Sequence, residues 1–301
     1  MNFKRLIPTC RDQPFFFSSV HISFIPVIQS LFRQLEIFRI LSLDVALGGV
    51  VFSNSLAHVV GVDLPFPVSF GLFLAIWLIY TFDHLLDAEQ LKDRASMKRH
   101  QFHFENRRPI LIVLIGLVLV GVVNMIFMPI VTLFYGLIVS AMVTFYFFLS
   151  WRLKVLLIKE IFIASIYAVG VLLGPVSLGE MDSITFACLI IQIFFLAFLN
   201  LLIISNYEME KDEQDGKSSW AVRFGYFRTS IHIKVFFGIL LIVQLGTLYF
   251  LQDIRWFQML LILMTLVLLS VFTLHSTFAK GDRYRALGDF VFFIPGLIYL
   301  F

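Results

Sequence analysis

Charged residues are scarce in this chain of 301 residues, at 14% of the sequence. A soluble domain usually has about a quarter of its residues charged. Apolar residues make up 59% of the chain, and the mean hydropathy is +0.92. This composition excludes a soluble protein and indicates one whose main partner is the lipid bilayer.

Cysteine is also nearly absent, since the chain has only Cys10 and Cys188. They lie far apart and form no Cys-x-x-Cys pair, so neither a disulfide framework nor a zinc site is predicted. The start of the chain has basic and aromatic residues but no clean apolar stretch before a cleavage site, which makes it a poor signal peptide. We interpret residues 1–40 as a cytoplasmic or interfacial N-terminal lead and residues 41–301 as one transmembrane domain.

Long apolar runs predict the membrane spans, because a helix needs roughly 20 residues to cross a bilayer. Eight runs come close to that length, and a shorter ninth ends the chain. They lie approximately at 41–62, 66–87, 110–128, 130–151, 157–177, 185–206, 233–251, 256–275 and 287–301. The predicted fold is an all-α, polytopic transmembrane bundle of about nine helices.

The basic residues are concentrated in alternate connections between these runs. All of the 23 Lys and Arg residues except Arg255 lie in the N-terminal lead, or in or next to the second, fourth, sixth and eighth connections between these runs. Because positive residues stay on the cytoplasmic side, we predict a multi-pass membrane protein, in the cell or inner membrane if bacterial, with a cytoplasmic N-terminus. Topology also explains the net charge of +3, so nucleic-acid binding is not predicted.

Two acidic motifs end the second and sixth runs on that side. Asp83 and Asp87 form the first motif, and Glu208 and Asp212 form the second. Residues four apart share one face of a helix, so each pair repels unless a positive group lies between its members. Asp83 and Glu208 are 125 residues apart, and this offset of four spans suggests an internal duplication.

Two carboxylate pairs at one membrane face fit Mg²⁺, which prefers oxygen ligands and usually keeps waters and substrate phosphates. Nearby cations could hold the remaining charge of a diphosphate. These cations are Arg94, Lys98, Arg99, Arg152, Lys154 and Lys217. The alternative is that the carboxylates are simply hydrated at the interface and that the cations only reflect the positive-inside bias.

The motifs resemble those of the UbiA superfamily of intramembrane prenyltransferases, which have nine helices. Asp83 and Asp87 match the last two carboxylates of that family's Asn-Asp-x-x-Asp-x-x-x-Asp motif, whose opening Asn-Asp is replaced here by Ile79-Tyr80. The second motif, from Glu208 to Gly216-Lys217, is similar to the family's Asp-x-x-x-Asp motif, with Glu in place of the leading Asp. The segments Asn106–Pro109 and Tyr146–Lys154 also resemble family elements.

This resemblance implies that four carboxylates are catalytic and bind Mg²⁺, namely Asp83, Asp87, Glu208 and Asp212. It implies a diphosphate site formed by Arg94, Tyr146, Arg152, Lys154 and Lys217. The implied reaction moves an isoprenyl group from a prenyl diphosphate to an aromatic or other lipophilic acceptor, with Mg²⁺ assisting the departure of diphosphate. Because the first motif lacks one ligand, the alternative is a catalytically degenerate UbiA-fold protein that binds or transports an isoprenoid or lipid.

Polar residues inside the first span are candidates for the acceptor side, because burying them in hydrocarbon is costly. They are Asp44, Asn54 and His58, and interhelical hydrogen bonding is the alternative role. His100 and His103 could suggest a metal site, but we expect an interfacial loop that contacts diphosphate, since no third ligand is near. A CDP-alcohol phosphotransferase is not indicated, because its Asp-Gly-x-x-Ala-Arg signature is absent.

Overall fold

The computed structural model describes residues 36–91, 96–153 and 159–301, without the side chains of residues 149–153. Residues 1–35, the larger part of the expected N-terminal lead, lie outside the described residues. Residues from Arg39 to Phe301 belong to one compact unit. The described residues form helices and connections, with no strand among them.

From Leu43 on, twelve α-helices follow one another along the described chain. They are α1 Leu43–Val59, α2 Phe66–Leu91, α3 Lys98–Glu105, α4 Arg107–Met125, α5 Ile130–Leu153, α6 Lys159–Leu178, α7 Ser183–Gln214, α8 Trp220–Phe224, α9 Tyr226–Phe250, α10 Arg255–Thr273, α11 His275–Phe278 and α12 Arg283–Phe290. Short 3₁₀ segments at Gln252–Ile254 and Lys280–Asp282 join some of them, and a third, Val291–Leu300, continues α12.

Seven helices of the described chain are long and apolar enough to cross a membrane: α2, α4, α5, α6, α7, α9 and α10, the last with its preceding 3₁₀ turn. The apolar helix α1 is shorter, and α12 with its 3₁₀ continuation covers the ninth predicted run. The predicted all-α, multi-pass bundle is therefore confirmed. The count of about nine spans stays a prediction.

The hydrophobic core lies around α7, the longest helix, with 32 residues. In its most apolar window 56% of the residues are buried, against 17% in both α4 and α5. Side chains of α7 such as Leu196 and Leu199 pack with Phe52 of α1 and with Phe257 and Leu261 of α10. The helices α4 and α5 therefore present most of their apolar side chains outward, where lipid would cover them.

Both acidic motifs lie on helices that continue past their apolar runs. The helix α2 ends at Leu91 and α7 ends at Gln214, so the carboxylates stay on rigid helical backbone. After α7 the chain turns at Gly216, whose φ of 67° is a left-handed conformation that favours glycine. The turn brings the Lys217 N–H to 2.8 Å from the Asp212 backbone oxygen and directs Lys217 back toward the acidic residues.

Candidate functional site

The first acidic motif holds a lysine from the start of α6. The Lys159 Nζ donates to both carboxylate oxygens of Asp83, at 3.0 and 3.1 Å. It is also close enough to Asp87 to attract that carboxylate. Lys159 is therefore the positive group that two carboxylates on one helix face require, although the sequence marks it only as a basic residue of the fourth connection.

The second carboxylate of this motif is linked to the connection after α7. The Lys217 Nζ donates to Asp87 Oδ2 at 2.8 Å and to His100 Nε2 at 2.7 Å. The Arg99 Nε also donates to His100 Nε2, at 3.2 Å. Burial, together with the charges of Arg99 and Lys217, lowers the pKa of His100 to about 2. His100 is therefore neutral at physiological pH and accepts hydrogen bonds through Nε2.

The expected interfacial loop around His100 and His103 is instead the helix α3, and both imidazoles are fully buried in it. His103 Nδ1 donates to the Arg99 carbonyl oxygen at 2.7 Å. The ring of His84 on α2 lies 6.0 Å from that of His100 and 5.2 Å from that of His103. The loop prediction is wrong because these histidines pack α3 onto α2.

The leading carboxylate of the second motif is held by an arginine from α12. The Arg285 guanidinium donates to both oxygens of Glu208, at 2.5 to 3.1 Å. The Tyr284 hydroxyl donates to Glu208 Oε1 at 2.8 Å, and Arg99 lies 3.7 Å from Oε2. Both oxygens of this buried carboxylate therefore already have cationic or hydroxyl partners.

Asp212 lies one turn further along α7, and its surroundings differ from those of Glu208. Its side chain is 7% exposed, and no cation of the described chain lies within ion-pair distance of it. Further hydrogen bonds link the chain just after α7 to other parts of the structure. Asp215 accepts from the Ser96 N–H and hydroxyl, both at 3.0 Å, and Glu160 accepts from the Trp220 N–H at 2.7 Å.

These contacts join both motifs into one group, which we call the ion-pair cluster. Its members are Asp83, Asp87, Lys159, Glu208, Asp212, Lys217, Arg99 and Arg285. The cluster has a repeat: Lys159 follows Asp83 by 76 residues, and Arg285 follows Glu208 by 77. This agreement supports the internal duplication. Lys159 and Arg285 are not among the predicted site residues, and the 125-residue offset between the carboxylates takes Lys159 to Tyr284, one residue before Arg285.

An apolar groove with Asp83 in its lining lies between α2, α5 and α6. Among the described residues that line it, Asp83 is the one charged residue, and the others are aliphatic, aromatic or glycine. Tyr146, predicted to bind diphosphate, lines this groove and stacks on Phe162 with ring centroids 4.0 Å apart. Its hydroxyl is buried without a partner among the described residues and is near Lys159.

The other predicted residues fall in several places. Arg94 and Lys154 lie outside the described residues, as does the side chain of Arg152. Asp44 is buried at the start of α1, where it interacts electrostatically with Asp289 and Arg39.

Asn54 and His58 lie about 15 and 21 Å further along α1, at 1.5 Å per residue. Asn54 donates to the Val50 carbonyl oxygen at 2.9 Å and accepts from Ser69 of α2 at 3.1 Å. This is the interhelical hydrogen bond that was the alternative role.

The predicted magnesium site fits the described carboxylates only in part. No group of three or more His, Cys, Asp or Glu residues in the described chain lies close enough to hold a metal ion. Asp83 and Glu208 have both oxygens bound to cations. Asp87 and Asp212 fit better, because Mg²⁺ commonly binds one or two carboxylates and takes its other ligands from waters and substrate phosphates.

Comparison with known proteins identifies the fold. No protein-family model matches the chain, and no curated protein matches it. The structure is similar to that of a digeranylgeranylglyceryl phosphate synthase in membranes, a UbiA-family prenyltransferase, with a TM-score of 0.56 and 15% identity. The match covers 90% of this chain and 98% of that chain. The chain therefore shares the fold of this synthase.

Proposed function

We propose that this protein is an intramembrane prenyltransferase that moves an isoprenyl group from a prenyl diphosphate to an aromatic or other lipophilic acceptor. One observation carries the proposal: Asp83, a member of the ion-pair cluster, lines the apolar groove. A prenyl diphosphate has the matching division into a long apolar tail and an anionic head. The prenyltransferase fold supports the same assignment.

The described cations have hydrogen-bond donors to spare for such a head group. An ammonium group has three N–H donors; Lys159 gives two to Asp83, and Lys217 gives one to Asp87 and one to His100. Each lysine therefore has a donor left for a diphosphate oxygen. In the transition state these charges would stabilise the departing diphosphate.

The groove would shield from water the carbon atom of the donor that loses its diphosphate. Tyr80, Tyr146 and Tyr167 line it, and aromatic faces attract a developing cation. Apolar lining also excludes water that would compete with the acceptor. Asp44 stays the acceptor-side candidate nearest the cluster, and Mg²⁺, when bound, would add Lewis-acid stabilisation of the leaving group.

A binding experiment tests this proposal. Purified protein in lipid nanodiscs is titrated with geranyl, farnesyl and geranylgeranyl diphosphates in the presence of Mg²⁺, and binding is followed by isothermal calorimetry. The matched ligands are geranylgeraniol, which lacks the head group, and inorganic diphosphate, which lacks the tail. We expect the prenyl diphosphates to bind more tightly than either fragment, with affinity rising with tail length. Equal affinity for the intact donor and its fragments would contradict the proposal.

A second possible function is binding or transport of an isoprenoid or lipid without turnover. It is favoured because cations already bind both oxygens of Asp83 and of Glu208. Incubation with radiolabelled geranylgeranyl diphosphate and a total extract of the source membranes separates the two. A new labelled lipid that forms with the wild-type protein and not with Asp87→Asn supports transfer. Tight donor binding without any labelled product supports the second function.

A further inference from the structure

The first carboxylate of each acidic motif has a partner that the second carboxylate lacks. Both oxygens of Asp83 accept from Lys159 at 3.0 and 3.1 Å, and both oxygens of Glu208 accept from Arg285. Glu208 also accepts from the Tyr284 hydroxyl at 2.8 Å. A metal ion at either carboxylate would have to share its oxygens with a cation held through two or more hydrogen bonds, and the two positive charges would repel each other.

Among the described residues, the second carboxylate of each motif accepts fewer hydrogen bonds from cations than the first. Asp87 is bound through Oδ2 to Lys217, a residue of a connection rather than of a helix. Asp212 has no ion pair with any cation of the described chain. The four carboxylates therefore divide into two kinds, and the division falls at the same position in both motifs.

The duplication makes an accidental arrangement less plausible. The cation that holds the first carboxylate lies 76 residues after it in one half of the chain and 77 in the other. A cation is therefore part of each repeat, as the carboxylate is.

We propose that Asp83 and Glu208 hold Lys159 and Arg285 as built-in cations for the donor diphosphate and are not magnesium ligands, which leaves any Mg²⁺ to Asp87 and Asp212. This inference rests on the proposed function, because it assigns roles within the same donor site. It departs from the expectation that all four carboxylates bind metal.

The physical reason is the cost of burying an unpaired charge. Lys159 and Arg285 are mostly buried, with side chains 34% and 22% exposed. Removing a cation from water is costly unless a counter-ion holds it. Asp83 and Glu208 supply that counter-ion and fix the orientation of the remaining N–H donors. The cations are then already in place when diphosphate arrives, as preorganised charges should be.

Manganese binding tests the division, because Mn²⁺ takes oxygen ligands as Mg²⁺ does and free Mn²⁺ is measured directly by electron paramagnetic resonance. Each protein is titrated with Mn²⁺ at a concentration of geranylgeranyl thiodiphosphate that saturates it, because bound phosphate oxygens contribute to the affinity for the metal. The leaving group of this analogue departs slowly. The compared variants are Asp87→Asn and the double variant Asp83→Asn with Lys159→Gln, which neutralises the ion pair without leaving a buried lysine unpaired. Thermal unfolding of each variant shows whether it folds.

We expect the double variant to keep the wild-type Mn²⁺ affinity and to bind the thiodiphosphate more weakly. Asp87→Asn should weaken Mn²⁺ binding by about tenfold or more. If Asp83→Asn with Lys159→Gln folds and loses Mn²⁺ as Asp87→Asn does, Asp83 is a metal ligand and the inference is wrong.

Two other outcomes separate this inference from the proposed function. Wild-type protein that binds neither thiodiphosphate nor Mn²⁺ overturns the proposed function itself. Wild-type protein that binds thiodiphosphate but no Mn²⁺ leaves the donor site standing and overturns the assignment of Asp87 and Asp212. The double variant Glu208→Gln with Arg285→Gln, matched by Asp212→Asn, repeats the test on α7.

Discussion

His100 shows how a single buried residue links the two acidic motifs. Its Nε2 accepts hydrogen bonds from Lys217, in the connection after α7, and from Arg99, its neighbour in α3. Its Nδ1 must then carry the proton, and this atom is buried without a partner in the described chain. Protonation of Nε2 would remove both bonds and place a third positive charge beside two others.

The stability of the protein should therefore depend on the protonation of His100. Its pKa is lowered to about 2 in the folded state, by burial first and then by Arg99 and Lys217, against about 6.5 for an ordinary histidine. Below pH about 6.5 His100 binds a proton in the unfolded state but stays neutral in the folded state. The free energy of unfolding therefore falls by up to about 1.4 kcal/mol for each pH unit of acidification.

The comparison of wild type with His100→Gln isolates this effect, because Gln places an acceptor near the position of Nε2 and does not titrate. We expect thermal unfolding in detergent to show a smaller loss of stability on acidification in His100→Gln than in wild type. The exposed His58→Gln serves as control and should behave as wild type. Equal pH dependence in wild type and His100→Gln would show that His100 does not titrate as described.

Among the helices, the contact between α12 and α7 brings Arg285 to Glu208. A Cβ atom added at Gly288 of α12 would clash with the side chain of Asn200 on α7. We therefore expect Gly288→Ala to lower the free energy of unfolding by about 1–3 kcal/mol, as overpacking usually does. Gly246→Ala, in α9 with no atom within 4 Å of the added Cβ, is the control and should be neutral or stabilising. Equal thermal unfolding of the two variants would contradict the close contact.

The groove between α2, α5 and α6 offers a second test at this scale. At Gly170 an added Cβ would meet only Leu72, at 3.6 Å, so Gly170→Ala should leave binding unchanged. Gly170→Leu should fill part of the groove. Displacing about two methylene groups of a bound tail, at ~0.8 kcal/mol each, lowers affinity by roughly tenfold.

This loss should appear for geranylgeranyl diphosphate and be smaller for geranyl diphosphate, whose tail is shorter. Calorimetric titration of both ligands into both variants provides the comparison. A loss of the same size for both donors would mean that the tail does not run along α6 past Gly170.

For the whole molecule, the distribution of basic residues predicts that the ion-pair cluster faces the cytoplasm. In a chain with both cysteines replaced by serine, Ser218→Cys should react with a membrane-impermeant maleimide only after the cells are permeabilised. Glu180→Cys, in the connection between α6 and α7, should react in intact cells. Both positions are exposed, so the reverse pattern would invert the predicted topology.

The overall architecture could be predicted from sequence because each span is a local property. Apolar runs and alternating basic connections gave the order of the spans, and the structure extends several of them, as at Leu91 and Gln214. The acidic motifs could also be found, since helical spacing places Asp83 and Asp87 on one face. Their partners could not, because Lys159 and Arg285 are brought in by packing between helices distant in sequence. Burial of His100 likewise depends on how α3 packs.

The most direct test of the proposed donor site is an experimental structure of the protein in nanodiscs with geranylgeranyl thiodiphosphate bound. We expect the diphosphate to bind against Lys159 and Lys217, with the tail in the groove lined by Tyr146, Phe162 and Gly170. A ligand bound elsewhere in the bundle, with the Asp83–Lys159 and Glu208–Arg285 pairs unchanged and the groove filled by membrane lipid, would contradict it.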